Sequence, residues 1–477
     1  MILRTRFAPS PTGYMHIGNL KTALFGYLLA RSMGGVFALR IEDTDLAREV
    51  AGATDVIYDS LRAAGICWDE GPDIGGDFGP YVQSQRKSNY LEFARELIGK
   101  GAAYYCFCDK ERLAELARAD GGGIAYDRHC VGLAAEDIAA KLAQGAAFVV
   151  RQLIPPGATT FSDEIYGNIS VNNSELDDQV LIKSDGMPTY NFANVVDDHL
   201  MEITHVIRGS EYLSSAPKYT LLYQAFGWDV PKYLHLNLLI NDDGSKLSKR
   251  SGDASFQDLV AAGFLPAAIV NYIVLLGWSP PENREIYTMA ELADIFDIRG
   301  LSKSPSKFDE DKLRWINGEY LKAMDAGDFY EMAKDELARV VSREGADLRR
   351  LAGMVQGRIS LVSEINEHLD FIDNLPKYSN DLYVHKKSKC DTDIAKKVLN
   401  EILPELAARD DWRNDGLYEA MCDFAARAGL KNAQVLWPIR TALSGKAATP
   451  GGASEIADIL GKDESLSRIE MAIGQLG

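Results

Sequence analysis

Two stretches of this chain carry residue types suited to phosphate chemistry. The first is Pro9-Ser10-Pro11-Thr12-Gly13-Tyr14-Met15-His16-Ile17-Gly18-Asn19, a turn-rich loop between an apolar segment and a helical pattern. The start of a helix presents unpaired N–H groups and the positive end of its dipole, both suited to a phosphate. Gly18 has no Cβ to keep a nucleotide from the backbone, and His16 is placed to donate to a phosphoryl oxygen. The second stretch is Gly244-Ser245-Lys246-Leu247-Ser248-Lys249-Arg250. Its lysines, arginine and hydroxyls suit the charge that develops on a leaving pyrophosphate. Alone, each is a weak signal: His-x-Gly is short, and a cationic run is more often a solvated loop.

The elements that must position these stretches are legible in outline. Leu3 to Ala8 reads as a strand, Leu20, Ala23, Leu24, Tyr27 and Leu28 as a helix face, and Val36 to Ile41 as a second strand ending at Glu42-Asp43. This alternation predicts an α/β domain with a parallel sheet. From about 75 to 190 Gly and Cys become frequent, which predicts a domain inserted between two halves of the sheet. The Ala-rich stretch Leu133 to Ala147 within it reads as a helix. Strand character returns at Trp228 to Ile240 and ends at the turn Asp242-Asp243-Gly244. Beyond about 320 only helical stripes remain. Met332, Leu337, Val340 and Val341 form one, and Leu417, Met421, Phe424 and Ala425 another.

Composition sets the limits. A chain of 477 residues predicts about three domains at roughly 150 residues each. Its 46% hydrophobic and 25% charged content excludes disorder and a disulfide scaffold. No apolar run reaches the roughly 18 residues of a membrane span. The best, Ala267 to Trp278, is broken by Asn271, and the start Met1 to Arg6 has no signal-peptide character. Six cysteines in so long a chain suit a reducing, cytoplasmic setting. A net charge of −18 excludes a protein that coats nucleic acid by bulk charge, but not one that holds RNA on local basic patches.

Together the two stretches resemble the paired signatures of class I aminoacyl-tRNA synthetases. His16-Ile17-Gly18-Asn19 resembles the first, whose usual fourth residue is His, and Lys246-Leu247-Ser248-Lys249-Arg250 resembles the second. Further segments are similar to glutamyl-tRNA synthetases of the bacterial type: Arg6 to Gly13, Leu39 to Asp45, Tyr190 to His199, and Val206 to Glu211. So are Phe308-Asp309 with Lys312 to Asn317, Leu436 to Gly445, and Leu460-Gly461-Lys462. The resemblance spans essentially the whole chain. It implies a Rossmann-type catalytic domain at 1–75 and 190–240, with an inserted α+β acceptor-binding domain at 76–189. A signature loop and stem-contact region would follow at 241–320. An all-helical anticodon-binding region would fill 321–477, with a break near 370–380.

The implied substrates are ATP with Mg²⁺, L-glutamate and tRNA(Glu), with tRNA(Gln) left open as a second acceptor; a monomer with no membrane partner is expected. Glutamate carries one cation and two carboxylates, so its pocket needs an acid and fixed cations, and Arg suits bidentate carboxylate recognition. The resemblance places Arg6, Arg208 and Tyr190 at the side-chain carboxylate, Glu42 at the α-ammonium, and Ala8 and Ser10 beside them. Pro9, His16, Gly18, Asn19, Lys246, Ser248, Lys249 and Arg250 match ATP-site positions, with His16, Lys246 and Lys249 as catalytic groups. The reaction implied has two steps. The glutamate α-carboxylate attacks the α-phosphorus of ATP, and the tRNA 2′-hydroxyl then attacks the resulting adenylate.

Cys106-x-Cys108 with Cys130 resembles the Cys-x-Cys…Cys-x-His zinc site of some members, but Gly132 stands at the last ligand position. His129 is the immediate neighbour of Cys130 and is poorly placed to replace it. Bound structural zinc is therefore not expected, and Tyr104, Tyr105, Phe107 and Tyr126 are expected to pack around reduced thiols. His199, His205 and His235 read as structural. A glutaminyl enzyme is disfavoured, because two Arg aimed at a carboxylate do not suit an amide. A short paralogue that modifies a tRNA base lacks the helical part, a small nucleotidyltransferase lacks the second half of the chain, and a catalytically dead RNA-binding module would have no use for Lys246 and Lys249.

Overall fold

The computed structural model describes residues 2–45, 50–119, 126–241, 243–245, 247 and 255–477. The chain divides into two compact units, Met1–Leu313 and Arg314–Gly477.

In the first unit β1 (Arg4–Phe7) pairs in parallel with β2 (Val36–Leu39). Parallel neighbours need a crossover, and here it is α1 (Ile17–Ser32). Leu20, Ala23, Leu24, Phe25 and Leu28 of α1 are buried, so the helix is apolar on most of its circumference and sits inside the fold. Tyr27, read as part of the same face, is only half-buried and sets its ring edge-on to Phe37.

β3 (Ala103–Cys106), β4 (Val149–Gln152) and β7 (Val180–Ile182) form an antiparallel sheet in that order. β5 (Ala158–Asp163) and β6 (Gly167–Asn172) form a hairpin, and β5 pairs in parallel with β9 (Lys232–Leu236). β9 pairs in parallel with β8 (His205–Gly209). Residues 158–172, grouped by sequence with the insertion, thus share a sheet with β8 and β9. β10 (Leu239–Ile240) pairs in parallel with β11 (Ser306–Lys307). Just ahead of β8, Thr204 donates its N–H to the Arg4 carbonyl at 3.0 Å, which sets β1 beside β8. Residues just past β1, at the end of β8 and just past β9 (Ala8, Gly209 and Asn237) all border one cavity.

The apolar run expected near Ala267 is the helix Pro266–Leu275. Its interrupting Asn271 is buried and bonded: it donates to the Glu285 carbonyl at 2.7 Å and accepts from the Tyr287 N–H at 2.6 Å. The Ala-rich stretch is the helix Ala135–Ala143. Among the described residues no helix is long and apolar enough to cross a membrane.

The second unit is helical throughout its regular elements. Leu417, Met421, Phe424 and Ala425 are buried on the helix Asn414–Arg427, as their spacing predicts. The other stripe shifts. On the helix Ala326–Val340 the buried residues are Phe329, Ala333 and Leu337, four apart and so on one face, while Met332 is exposed and Val341 lies past the helix end.

Candidate active site

The strand ends enclose a cavity of about 500 Å³, lined at one end by Arg6, Tyr190 and Arg208 and at the other by His16, Gly18 and Asn19. Ala8, Pro9 and Ser10 form part of its wall. Glu42 borders an adjoining cavity that shares Ser10, Tyr190 and Tyr212 with it.

The Arg208 end rests on a buried ionic network. Arg40, fully buried, donates to Asp198 at 2.8 Å and to Glu42 Oε1 at 2.9 Å. Arg6 donates to Asp198 through Nε and Nη2, at 2.9 and 3.1 Å. Asp197 accepts from Arg86 at 2.6 Å, from Gln83 at 2.9 Å and from Tyr90 at 2.8 Å. Burial penalises the Asp198 carboxylate, yet Arg6 and Arg40 outweigh that and hold its pKa below the ordinary value. Four guanidiniums (Arg6, Arg40, Arg86, Arg208) thus meet three carboxylates, and Arg208 is the cation left over. Among the described residues no carboxylate lies within ion-pair distance of it, and its buried Nε and Nη1 have no hydrogen-bond partner. Tyr212, Tyr219 and Tyr233 surround it, the ring of Tyr219 at 4.8 Å. Burial works against the Arg208 charge, but the tyrosine oxygens and Asp198 hold its pKa above the ordinary value. Charges are rarely left this way inside a protein unless a partner arrives.

Glu42 is its counterpart. Oε1 accepts from Arg40 and, at 3.3 Å, from Gln83; Oε2 is buried without a partner. Burial raises the Glu42 pKa against the pull of Arg40 and Arg6. One carboxylate oxygen and two guanidinium nitrogens are therefore buried without partners, so one negative and one positive valence are unsatisfied, a pattern complementary to an amino acid with an anionic side chain. Tyr190 opens the helix Tyr190–Leu200 and packs 5.7 Å from the ring of Tyr212. Burial raises its pKa well above the ordinary value, so its hydroxyl is a donor at neutral pH.

At the other end His16 is the N-cap of α1, and its Nδ1 accepts the Gly18 N–H at 3.0 Å. The expectation that this helix start offers open N–H groups is corrected at two positions: Gly18 N–H goes to the His16 ring, and Asn19 N–H to the His16 carbonyl at 2.9 Å. An acceptor at Nδ1 puts the neutral ring's proton on Nε2, so His16 can donate without being charged. Gly18 serves the cap as well, since a Cβ there would stand 3.1 Å from His16 Nδ1. Leu247 is buried in the cavity wall, while Lys246, Ser248, Lys249 and Arg250 lie outside the described residues.

The three insertion cysteines do converge: their sulfurs lie within 4.8 Å of one another, the only such metal-capable group among the described residues. Tyr126, read as mere packing, approaches Cys106 Sγ at 3.2 Å and Cys108 Sγ at 3.3 Å with its hydroxyl. The phenol is hydrogen-bonded to the thiols rather than standing as a fourth ligand, and burial beside them pushes its pKa up, which works against the phenolate a metal would need. A Cβ at Gly132 would meet nothing within 4 Å. The three histidines sit in packing or hydrogen-bond roles. His199 stacks on Trp228 at 3.7 Å, His205 meets Thr204 Oγ1 at 2.8 Å, and His235 meets Asp163 at 2.7 Å.

The network residues Arg40, Gln83, Asp197 and Asp198 were not singled out as site residues by sequence. The one available signal was two adjacent acids in an otherwise apolar helical stretch, Val195-Val196-Asp197-Asp198, which are costly to bury unless paired.

A sheet whose strand ends open on a cavity beside a His-x-Gly helix start, followed by a helical unit, is the class I arrangement of tRNA synthetases. Residues 2–315 match the model for tRNA synthetases class I (E and Q), catalytic domain, and residues 328–473 the anticodon binding domain. The chain is 54% identical over 479 residues to the glutamate–tRNA ligase of Clostridium botulinum (strain Loch Maree / Type A3), covering 99% of this chain and 98% of the relative. It is likewise 54% identical to that of Clostridium tetani (strain Massachusetts / E88), with the same coverage. A crystal structure of a glutamate tRNA ligase from Elizabethkingia meningosepticum in complex with its amino acid superposes with a TM-score of 0.88 at 33% identity, covering 100% of both chains. The chain belongs to the glutamate–tRNA ligase family.

Proposed function

We propose that this protein attaches L-glutamate to the 3′ end of tRNA(Glu) at the expense of ATP, releasing AMP and diphosphate by way of glutamyl-adenylate. The observation that carries the amino-acid assignment is the unpartnered pair on the two adjoining cavities: Arg208 with two unpartnered donor nitrogens and Glu42 with one unpartnered oxygen. Arg208 takes the substrate's side-chain carboxylate, helped by the Tyr190 hydroxyl, and Glu42 Oε2 takes the ammonium. Arg6 stays paired to Asp198 and adds its charge from behind. An amide side chain would leave the Arg208 charge uncompensated, which disfavours glutamine.

The α-carboxylate then attacks the α-phosphorus of Mg²⁺-bound ATP. His16 donates from Nε2 to the phosphates, Lys246 and Lys249, with Ser248 and Arg250, are assigned by their signature to stabilising the charge of the leaving pyrophosphate, and Pro9, Gly18 and Asn19 border the nucleotide. No protein nucleophile is needed, because positioning and charge stabilisation do the work. The tRNA 2′-hydroxyl attacks the adenylate carbonyl in the second step. Residues 1–75 and 190–240, joined by the hairpin 158–172 that extends the β8–β9 sheet, form the catalytic domain; the rest of 76–189 holds the acceptor end, 241–320 meet the stem and 321–477 the anticodon. The protein acts as a cytoplasmic monomer.

Cys106, Cys108 and Cys130 are the residues that would hold a structural zinc, which would cross-link the insertion. The Tyr126 phenol is a poorer zinc ligand than an imidazole, so the cluster is read as reduced thiols without tightly bound metal.

ATP–pyrophosphate exchange, with and without tRNA and with glutamate or glutamine, tests the activity. Exchange with glutamate and not glutamine is expected; the reverse would overturn the reading. Charging of purified tRNA(Glu) and tRNA(Gln) decides whether the second tRNA is also an acceptor.

A further inference from the structure

A second buried cation lines the same cavity. Lys21, on α1 one turn past Gly18, is 2% exposed. Its Nζ donates to the Asn237 carbonyl at 2.9 Å and to Asn237 Oδ1 at 2.5 Å. Among the described residues no carboxylate lies within ion-pair distance; burial brings the ammonium down to about 7, with Glu211 opposing through space. Asn237, 4% exposed, lies between β9 and β10 and borders the cavity beside Leu236, Leu238 and Leu239. Its amide is fixed in turn, donating to the Ser304 carbonyl at 2.5 Å and to Ser306 Oγ at 2.8 Å. Gly277 leaves room for the contact: a Cβ there would stand 2.7 Å from Lys21 Cε, 3.0 Å from Nζ and 3.1 Å from Asn237 Oδ1.

We infer that Lys21 is a positioning residue for the nucleotide: its two bonds to Asn237 fix the spacing between the wall that carries His16, Gly18 and Asn19 and the wall formed by Leu236 to Leu239. An uncharged core residue would fill this space without the cost of burying an ammonium, so packing alone does not account for lysine here. The two bonded oxygens both belong to Asn237. The tether therefore acts between two cavity walls, and none of its bonds involves Arg6, Arg40, Asp198 or Glu42, which hold the Arg208 end.

The inference rests on the ligase reading, and its test begins with the wild-type protein. Absence of glutamate-dependent ATP–pyrophosphate exchange in the wild type with tRNA present would defeat the ligase reading itself. With exchange established, Lys21→Met should lower kcat/KM for ATP at least tenfold while the glutamate KM stays within twofold. Gly277→Ala, which pushes a methyl against Lys21 without removing it, should produce a smaller loss with the same selectivity for ATP. In a Lys21→Ala background, which removes the side chain the methyl would push against, Gly277→Ala should add no further loss. Unchanged ATP constants in Lys21→Met would overturn the inference. So would ATP and glutamate constants that fall together with the melting temperature, or a Gly277→Ala loss that persists in the Lys21→Ala background.

Discussion

Arg208 and His16 face one cavity but are held by different means. The Arg208 end is made of side chains locked by other side chains: Asp198 ties Arg6 to Arg40, and Arg40 ties down Glu42. The His16 end is made of backbone, with an imidazole that caps α1 and a glycine that makes space for the cap. The first arrangement suits a small amino acid that must be told from near neighbours by the number and sign of its charges. The second suits a polyphosphate, which is large, strongly anionic and tolerant of how its charge is met. Selectivity is concentrated where buried valences are left open, and rate where a donor faces charge that develops during reaction.

The comparison can be broken most forcefully at Asp198. Asp198→Ala strands the donors of both Arg6 and Arg40 in the interior, and removing one partner from a buried ionic cluster costs on the order of 3–5 kcal/mol. Urea unfolding should show a loss of that order together with a collapse of glutamate binding. Because the Asp198 pKa is lowered in the fold, its stabilising contribution is present above the ordinary value of 3.8 and fades as pH falls through the lower one. A variant as stable as wild type would mean that the side-chain lock is not what holds this end.

The His16 end should respond in rate. His16→Ala is expected to lower kcat for adenylate formation by roughly 10²–10³ with little change in the ATP KM, since one donor aimed at developing charge acts mainly in the transition state. Unchanged turnover at saturating substrates would remove His16 from the mechanism.

Glu42→Gln sharpens the contrast with a smaller effect. Losing a hydrogen bond to a charged group costs about 1.5–3 kcal/mol, so the glutamate KM should rise roughly tenfold or more while the ATP KM holds. A raised pKa means that the carboxylate needed for the substrate ammonium is lost at a higher pH than in an exposed glutamate. The wild-type glutamate KM should therefore climb on acidification from above 4.5, and that limb should vanish in Glu42→Gln. A limb that persists in the variant would assign it to another group.

How much of this is legible in the sequence follows the same division. His16 and Gly18 are near neighbours in the chain, so their motif shows directly; Arg208 and Glu42 show through the segments around them. The lock does not, because Arg6 and Asp198 are 192 positions apart, and no local pattern states that they meet. Tyr126 was likewise read as packing, since nothing in the spacing reveals that its hydroxyl meets two thiols. Periodicity recovered the Leu417 stripe but misplaced the Met332 one, where several apolar residues offered competing faces. The smallest expected effect lies at the thiols. Metal analysis after extensive dialysis should find far less than one zinc per chain; about one per chain, lost on Cys106→Ser, would contradict that.

The central claim is that Arg208 is the cation kept open for the substrate's side-chain carboxylate. Calorimetric titration of glutamate into wild type and Arg208→Gln, each with tRNA present and each checked for an unchanged melting temperature, tests it directly. The account predicts a loss of affinity of about 2–5 kcal/mol in the variant, the cost of leaving a buried carboxylate unpaired. Glutamate binding within twofold of wild type would contradict it.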